Sequence, residues 1–184
     1  MNTLYERLMH DHRNLESVLQ ILEQEVGRYD QQSEDPEKGP RLSLIMEILD
    51  YVHYYPEYVH HPLEEAAMDA LREQNKGSPE NMDLIHNDHL QLEQESEAVR
   101  EMVQTISVGS PVSLDQLHAR LDAWIAHQRR HIRSEEDTLF RAIEQLDQPT
   151  CDHIMDQVEH RADPVFGQQT AAQFEGLTEE LQNY

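Results

Sequence analysis

Two stretches of the chain set a glutamate four residues after a histidine, His60-His-Pro-Leu-Glu64 and His131-Ile-Arg-Ser-Glu135. On a helix that spacing puts both side chains on one face, a turn apart. Imidazole nitrogen together with carboxylate oxygen suits Fe, Zn or Mn. The single cysteine, Cys151, excludes both a thiolate zinc site and an internal disulfide. With His12 and His89 the set grows to six donors, more than the roughly three or four protein ligands of one zinc ion. Two glutamates, each able to bridge, suggest a pair of metals a few ångströms apart.

The positions of these residues argue that they meet. In the first helical stretch the apolar series Leu4, Leu8, Leu15, Leu19, Leu22, Val26 is continuous only if His12 fills its gap. In the third, Met82, Ile85, Leu92, Val99, Val103, Ile106 needs His89. In the second and fourth, His60 and His131 lie on the apolar stripe, each followed by its glutamate. Counting outward from the loops, His12 is 17 residues back from Tyr29 and His60 is 19 on from Arg41; His89 is 18 before Ser107 and His131 is 18 after Ser113. At about 1.5 Å rise per residue all six side chains fall at one level. Ionised carboxylates buried there without partners would be strongly unfavourable and would repel each other; bound cations turn that burden into ligation.

The elements that must carry this layer are long helices. Only 6 glycines and 8 prolines punctuate the 184 residues. Apolar periodicity predicts helices from Thr3 to Tyr29, from about Arg41 to Lys76, from Pro79 to about Ser107 with Ser78 as N-cap, and from Leu114 to Leu146 with Ser113 as N-cap. Pro56 and Pro62 predict a kink or local bulge in the second. Short connections, among them the loop DQQSEDPEKGP and the turn VGSPVS, favour antiparallel neighbours. The expected fold is therefore all-α, an up-down-up-down four-helix bundle over residues 1–146. Residues 147–184 are expected to add a C-terminal extension, a short helical stretch (Asp152 to His160) and a polar tail whose Phe166, Phe174 and Leu177 dock on the bundle.

A balance of 14 basic against 37 acidic residues, net −23, argues against general affinity for nucleic acid or anionic lipid. No apolar run approaches the roughly 20 residues that span a bilayer, and the first residues lack a signal-peptide apolar stretch. The expectation is a cytoplasmic protein.

The segments LMHDHRNLESVL, HHPLEEAAM, LIHNDHLQL and HIRSEEDTLF resemble the four ligand segments of the hemerythrin-like, or HHE cation-binding, family. The likeness covers about residues 1–146 and implies His12, His60, Glu64, His89, His131 and Glu135 as ligands of a non-haem di-iron centre, two iron ions with an oxo or hydroxo bridge. It departs from the oxygen carriers of the family on the third helix, where they present HxxxH and this chain has His86 and His89. His86 either supplies a further ligand or flanks the site. With four histidines in the set, one iron keeps an exchangeable position. The implied function is binding of O2 or a related small ligand such as NO, as sensor, store or carrier. The alternatives are a di-iron redox enzyme in nitrosative or oxidative stress or iron-sulfur cluster repair, and a bundle whose metal is structural. Repair members typically carry a cysteine-containing N-terminal domain, which these 184 residues do not include.

Other residues have weaker claims. His61 and Glu65 repeat the four-residue spacing one position out of phase, about 100° round the helix, which favours a place behind the ligands or in solvent. His127 and His53 lie one and two turns before site histidines and could line an access path. His10 points outward. Tyr51, Tyr54, Tyr55 and Tyr58 are expected mainly to pack, with hydrogen bonding to the site or electron relay as the alternative.

Overall fold

The computed structural model describes residues 2–28, 40–109, 113–158, 163–167 and 171–183. Tyr29, most of the DQQSEDPEKGP loop, the centre of the VGSPVS turn and the end of the stretch to His160 lie outside these residues. Among the described residues there is helix and no strand. No helix is long and apolar enough to cross a membrane.

Helix α1 spans Thr3–Gly27, with Asn2 accepting from the Tyr5 amide at 3.0 Å. The second arm consists of α2 (Leu42–Tyr55), a π-turn (Pro56–His60) and α3 (His61–Glu73). The π-turn is the bulge that the prolines predict. Pro62 lacks an N–H, and its ring crowds the carbonyl of Tyr58, one turn back; the chain widens, and the His61 amide reaches the Pro56 carbonyl. Helix α4 (Pro79–Ser107) starts at Ser78, whose side chain accepts from the Asn81 amide at 3.3 Å. Helix α5 (Leu114–Asp137) starts at Ser113, which makes no capping side-chain bond.

Around the bundle α1 neighbours α2 and α5, and α4 neighbours α2 and α5. This is the arrangement expected of four antiparallel helices with short connections.

Two expectations need correction. The fourth helix is not continuous to Leu146: it stops at Thr138 and resumes as α6 (Leu139–Ile143). The Thr138 hydroxyl donates to the Ser134 carbonyl at 2.6 Å, a local bond of the kind that bends helices. The C-terminal stretch, too, is more helical than its polarity suggests. After α7 (Gln148–Gln157), α8 (Glu175–Asn183) packs on α1 and α2 and buries Phe174 and Leu177. Phe174, Leu177 and Leu181 share a helical face, and the Leu177 amide donates to Glu47 at 2.9 Å.

The apolar core is divided. One cluster joins α1, α2, α4 and α5 with Phe174 and Leu177; the other joins the starts of α1 and α4 to α3, α6 and α7. Where the two meet, the buried residues are His12, His60, Glu64, His89, His131 and Glu135. The bundle carries a polar layer across its width.

Candidate metal centre

Each arm of the bundle contributes to this layer. His12 comes from the α1 stripe between Leu8 and Leu15, His60 from the end of the π-turn, Glu64 from α3, His89 from α4, and His131 and Glu135 from α5. All six are buried. Nearest neighbours are within hydrogen-bond range: His12 Nε2 is 3.1 Å from His60 Nε2 and 3.2 Å from Glu135 Oε2. His60 Nε2 is 3.2 Å from Glu64 Oε1, and His89 Nε2 is 3.3 Å from Glu64 Oε2. Glu135 Oε1 is 3.0 Å from His89 Nε2 and 2.9 Å from His131 Nε2.

The donors fall into two groups, His12 with His60, Glu64 and Glu135, and His89 with His131 and His61. Both carboxylates are divided between them. Glu64 turns Oε1 to His60 and Oε2 to His89; Glu135 turns Oε2 to His12 and Oε1 to His89 and His131.

His61 is the residue the sequence reading placed outside the ligand set. Its ring lies flat on His89, with centroids 3.9 Å apart and planes 15° apart, and edge-on to His131 at 6.1 Å. Neighbours in sequence diverge by about 100° on a helix, so one metal could hardly engage both His60 and His61; a centre two sites wide can receive one on each side. The duplicated spacing of His60 and Glu64 with His61 and Glu65 was the available signal.

Other candidates are outside both groups. His86 is exposed, with Nδ1 at 2.8 Å from Glu65 Oε1. His127 pairs with Glu95 at 2.9 Å. His10 is exposed, and Cys151 is buried in the second apolar cluster. Of the tyrosines, Tyr55 touches the site's support: its hydroxyl donates to Asp11 Oδ1 at 3.0 Å and receives a bond from Arg7 at 2.7 Å.

Behind the rings stand further carboxylates. His12 Nδ1 meets Glu136 at 3.0 Å, His60 Nδ1 meets Asp11 at 3.4 Å, His89 Nδ1 meets Glu65 at 3.4 Å, and His131 Nδ1 is 3.7 Å from Asp88. The contacts to His12, His60 and His89 are hydrogen bonds of the kind that fix the tautomer and tilt of metal-binding imidazoles and leave Nε2 free to ligate, whereas Asp88 stands too far from His131 to bond it.

Electrostatics and bonding both favour cations in the layer. Burial opposes charge on His60, yet Glu64 and Asp11 outweigh it and push the imidazole up to about 10. His131, with Glu135 and Asp88, is raised against burial to about 9. Burial and Glu135 both disfavour ionised Glu64, but His60 and His89 hold its carboxyl below the usual range. Burial, helped by His89, drives His61 well down, which keeps it neutral. Glu64 is wholly buried, and neither of its oxygens accepts a hydrogen bond; the same is true of both His131 ring nitrogens. A native interior rarely leaves such groups unpaired. Metal ions would satisfy them, so the residues present fit the group that the donor chemistry implies.

Neither a curated protein nor a solved structure matches the chain. A family model does: the hemerythrin HHE cation binding domain matches residues 3–143, covering α1 through α6 and every residue of the polar layer. With a helical bundle, a buried histidine and glutamate cluster and that match, the chain belongs to the hemerythrin HHE cation-binding family.

Proposed function

We propose that the chain is a non-haem di-iron protein that binds O2 or a related small ligand such as NO, acting as a sensor, store or carrier. The observation that carries this reading is the division of Glu64 and Glu135, each with one oxygen toward the His12 and His60 group and one toward the His89 and His131 group. A carboxylate so placed can bridge two cations. His12, His60, Glu64, His89, His131 and Glu135 would hold the pair, with His61 as a fifth imidazole on the His89 side. A pair of iron ions would supply reversible binding of a diatomic ligand, or its reduction.

The chain's own residues set the conditions. One group offers two imidazoles and the other three, with both carboxylates shared, so the shortfall of donors falls on the His12 and His60 side. That side is enclosed: Phe140, fully buried, stacks on His12 at 4.7 Å. With a metal pair bound, this apolar ring against His12 would help keep water from that side of the centre and favour an uncharged ligand there.

The experiment is anaerobic loading of the metal-free protein with Fe(II), then exposure to O2 or NO with the absorbance followed. A rapid near-ultraviolet and visible response to either gas is expected. A response to O2 that reverses under vacuum indicates a carrier or store, and one-way oxidation indicates a sensor or redox enzyme. No response to either gas overturns the small-ligand reading and leaves a structural metal.

A further inference from the structure

Five of the site residues, His12, His60, Glu64, His131 and Glu135, are at most 3% exposed, whereas His61 is half-buried. A pocket of about 70 Å³ between the π-turn and α4 ends on His61 and His89, and its walls include His53, Glu57, Glu93 and Gln128. His61 differs from the other four rings in a second way. His12, His60 and His89 each have a carboxylate bonded at Nδ1, at 3.0 to 3.4 Å, and the deeply buried His131 has Asp88 at 3.7 Å from its Nδ1; among the described residues no carboxylate pairs with His61. The ring is held by stacking on His89 and by its own backbone.

We propose that divalent metal ions reach the centre through this pocket and that His61 is the ligand that swings aside to admit them. This rests on the metal-centre reading above and adds the route and the moving part. An imidazole whose second nitrogen is anchored resists rotation; one without that anchor turns about its side-chain bonds. The pocket wall supplies donors of the kind a hydrated cation exchanges water for. Glu57 Oε2 is buried without a hydrogen bond, 3.4 Å from His53 Nε2, and Glu93 adds a second carboxylate. These two carboxylates, on a chain of net charge −23, attract cations and repel anions. No electron moves during loading: the ion releases water, binds imidazole nitrogen and carboxylate oxygen, and protons leave the rings that receive it.

The test is the rate at which the metal-free chain takes up Co(II), followed by stopped-flow absorbance, with bound cobalt measured at the end. At low salt Glu57→Gln with Glu93→Gln is expected to slow uptake roughly tenfold, the order of an electrostatic steering effect, with the difference shrinking as salt rises. Final cobalt content should match wild type. A control with the same charge change at exposed sites, Glu101→Gln with Glu144→Gln, should load at the wild-type rate, and His61→Ala should load at least as fast as wild type. Helicity of each metal-free variant is checked by circular dichroism, and if His61→Ala does not fold the paired glutamine variants decide. Wild-type uptake in Glu57→Gln with Glu93→Gln, equal slowing in the control pair, or slower uptake in a folded His61→Ala overturns the proposal. Wild-type cobalt saturating at one ion per chain instead counts against the dinuclear reading, and the rate comparison still decides the route.

Discussion

Glu64 and Glu135, approaching from α3 and α5, share His89 as a neighbour: its Nε2 lies 3.3 Å from Oε2 of the first and 3.0 Å from Oε1 of the second. Two ionised carboxylates so close repel, and burial deprives both of water. Only positive charge between them makes the arrangement stable.

Removing either carboxylate should therefore remove metal. Glu64→Ala and Glu135→Ala are expected to lose bound metal after reconstitution and desalting. Glu65→Ala and Glu136→Ala, which take away only groups behind His89 and His12, should retain it with affinity weakened by roughly tenfold to a hundredfold. Elemental analysis of the four proteins checks this. Equal loss in all four would mean that the outer carboxylates ligate as well.

Metal uptake should release protons at neutral pH. Without metal, the imidazoles of His131, His60 and His89 are raised to about 9, about 10 and about 12. For a raised group the stabilisation is complete below its unfolded value, about 6.5, and is lost as pH climbs through the folded values. The metal-free bundle is thus expected to weaken progressively as pH rises above about 6.5, with the His131 contribution gone by about pH 9 and that of His60 by about pH 10. Metal needs those rings deprotonated, so its affinity rises with pH. A weakly buffered solution with an indicator dye should report more than one proton released per chain on loading at pH 7. Uptake without proton release contradicts this electrostatic picture.

Loading should also stabilise the fold without creating it. Free metal at a hundred times Kd adds about 2.7 kcal/mol by mass action, which for a chain of this length corresponds to roughly 5 to 10 °C in melting temperature. Two apolar clusters flank the layer and do not depend on metal. Circular dichroism of the chelated protein should retain strong helical signal, and a random coil there would contradict the separation of core from site.

Much of this arrangement was legible in the chain. Gaps in the apolar stripes at 12, 60, 89 and 131 identified the four histidines, because a polar residue at a core-facing position must have a partner. Loop-to-loop counting placed them at one level because helical rise is uniform. His61 was not legible by that reasoning. Phase along a single stripe tests for one site, whereas this layer holds two groups side by side. The break at Thr138 is local to that residue's backbone, and periodicity, which continues through Leu139 and Leu146, cannot register it. Nor could it show that α8 would form, since its few apolar residues gain a face only once the groove between α1 and α2 exists.

The central claim is a two-metal centre bridged by Glu64 and Glu135. Its most direct test is the iron content of the purified chain after anaerobic Fe(II) loading and removal of excess metal. The division of each carboxylate between two histidine groups predicts about two irons per chain, falling in Glu64→Ala. Saturation at one iron, or binding of zinc alone when both metals are offered, would contradict it.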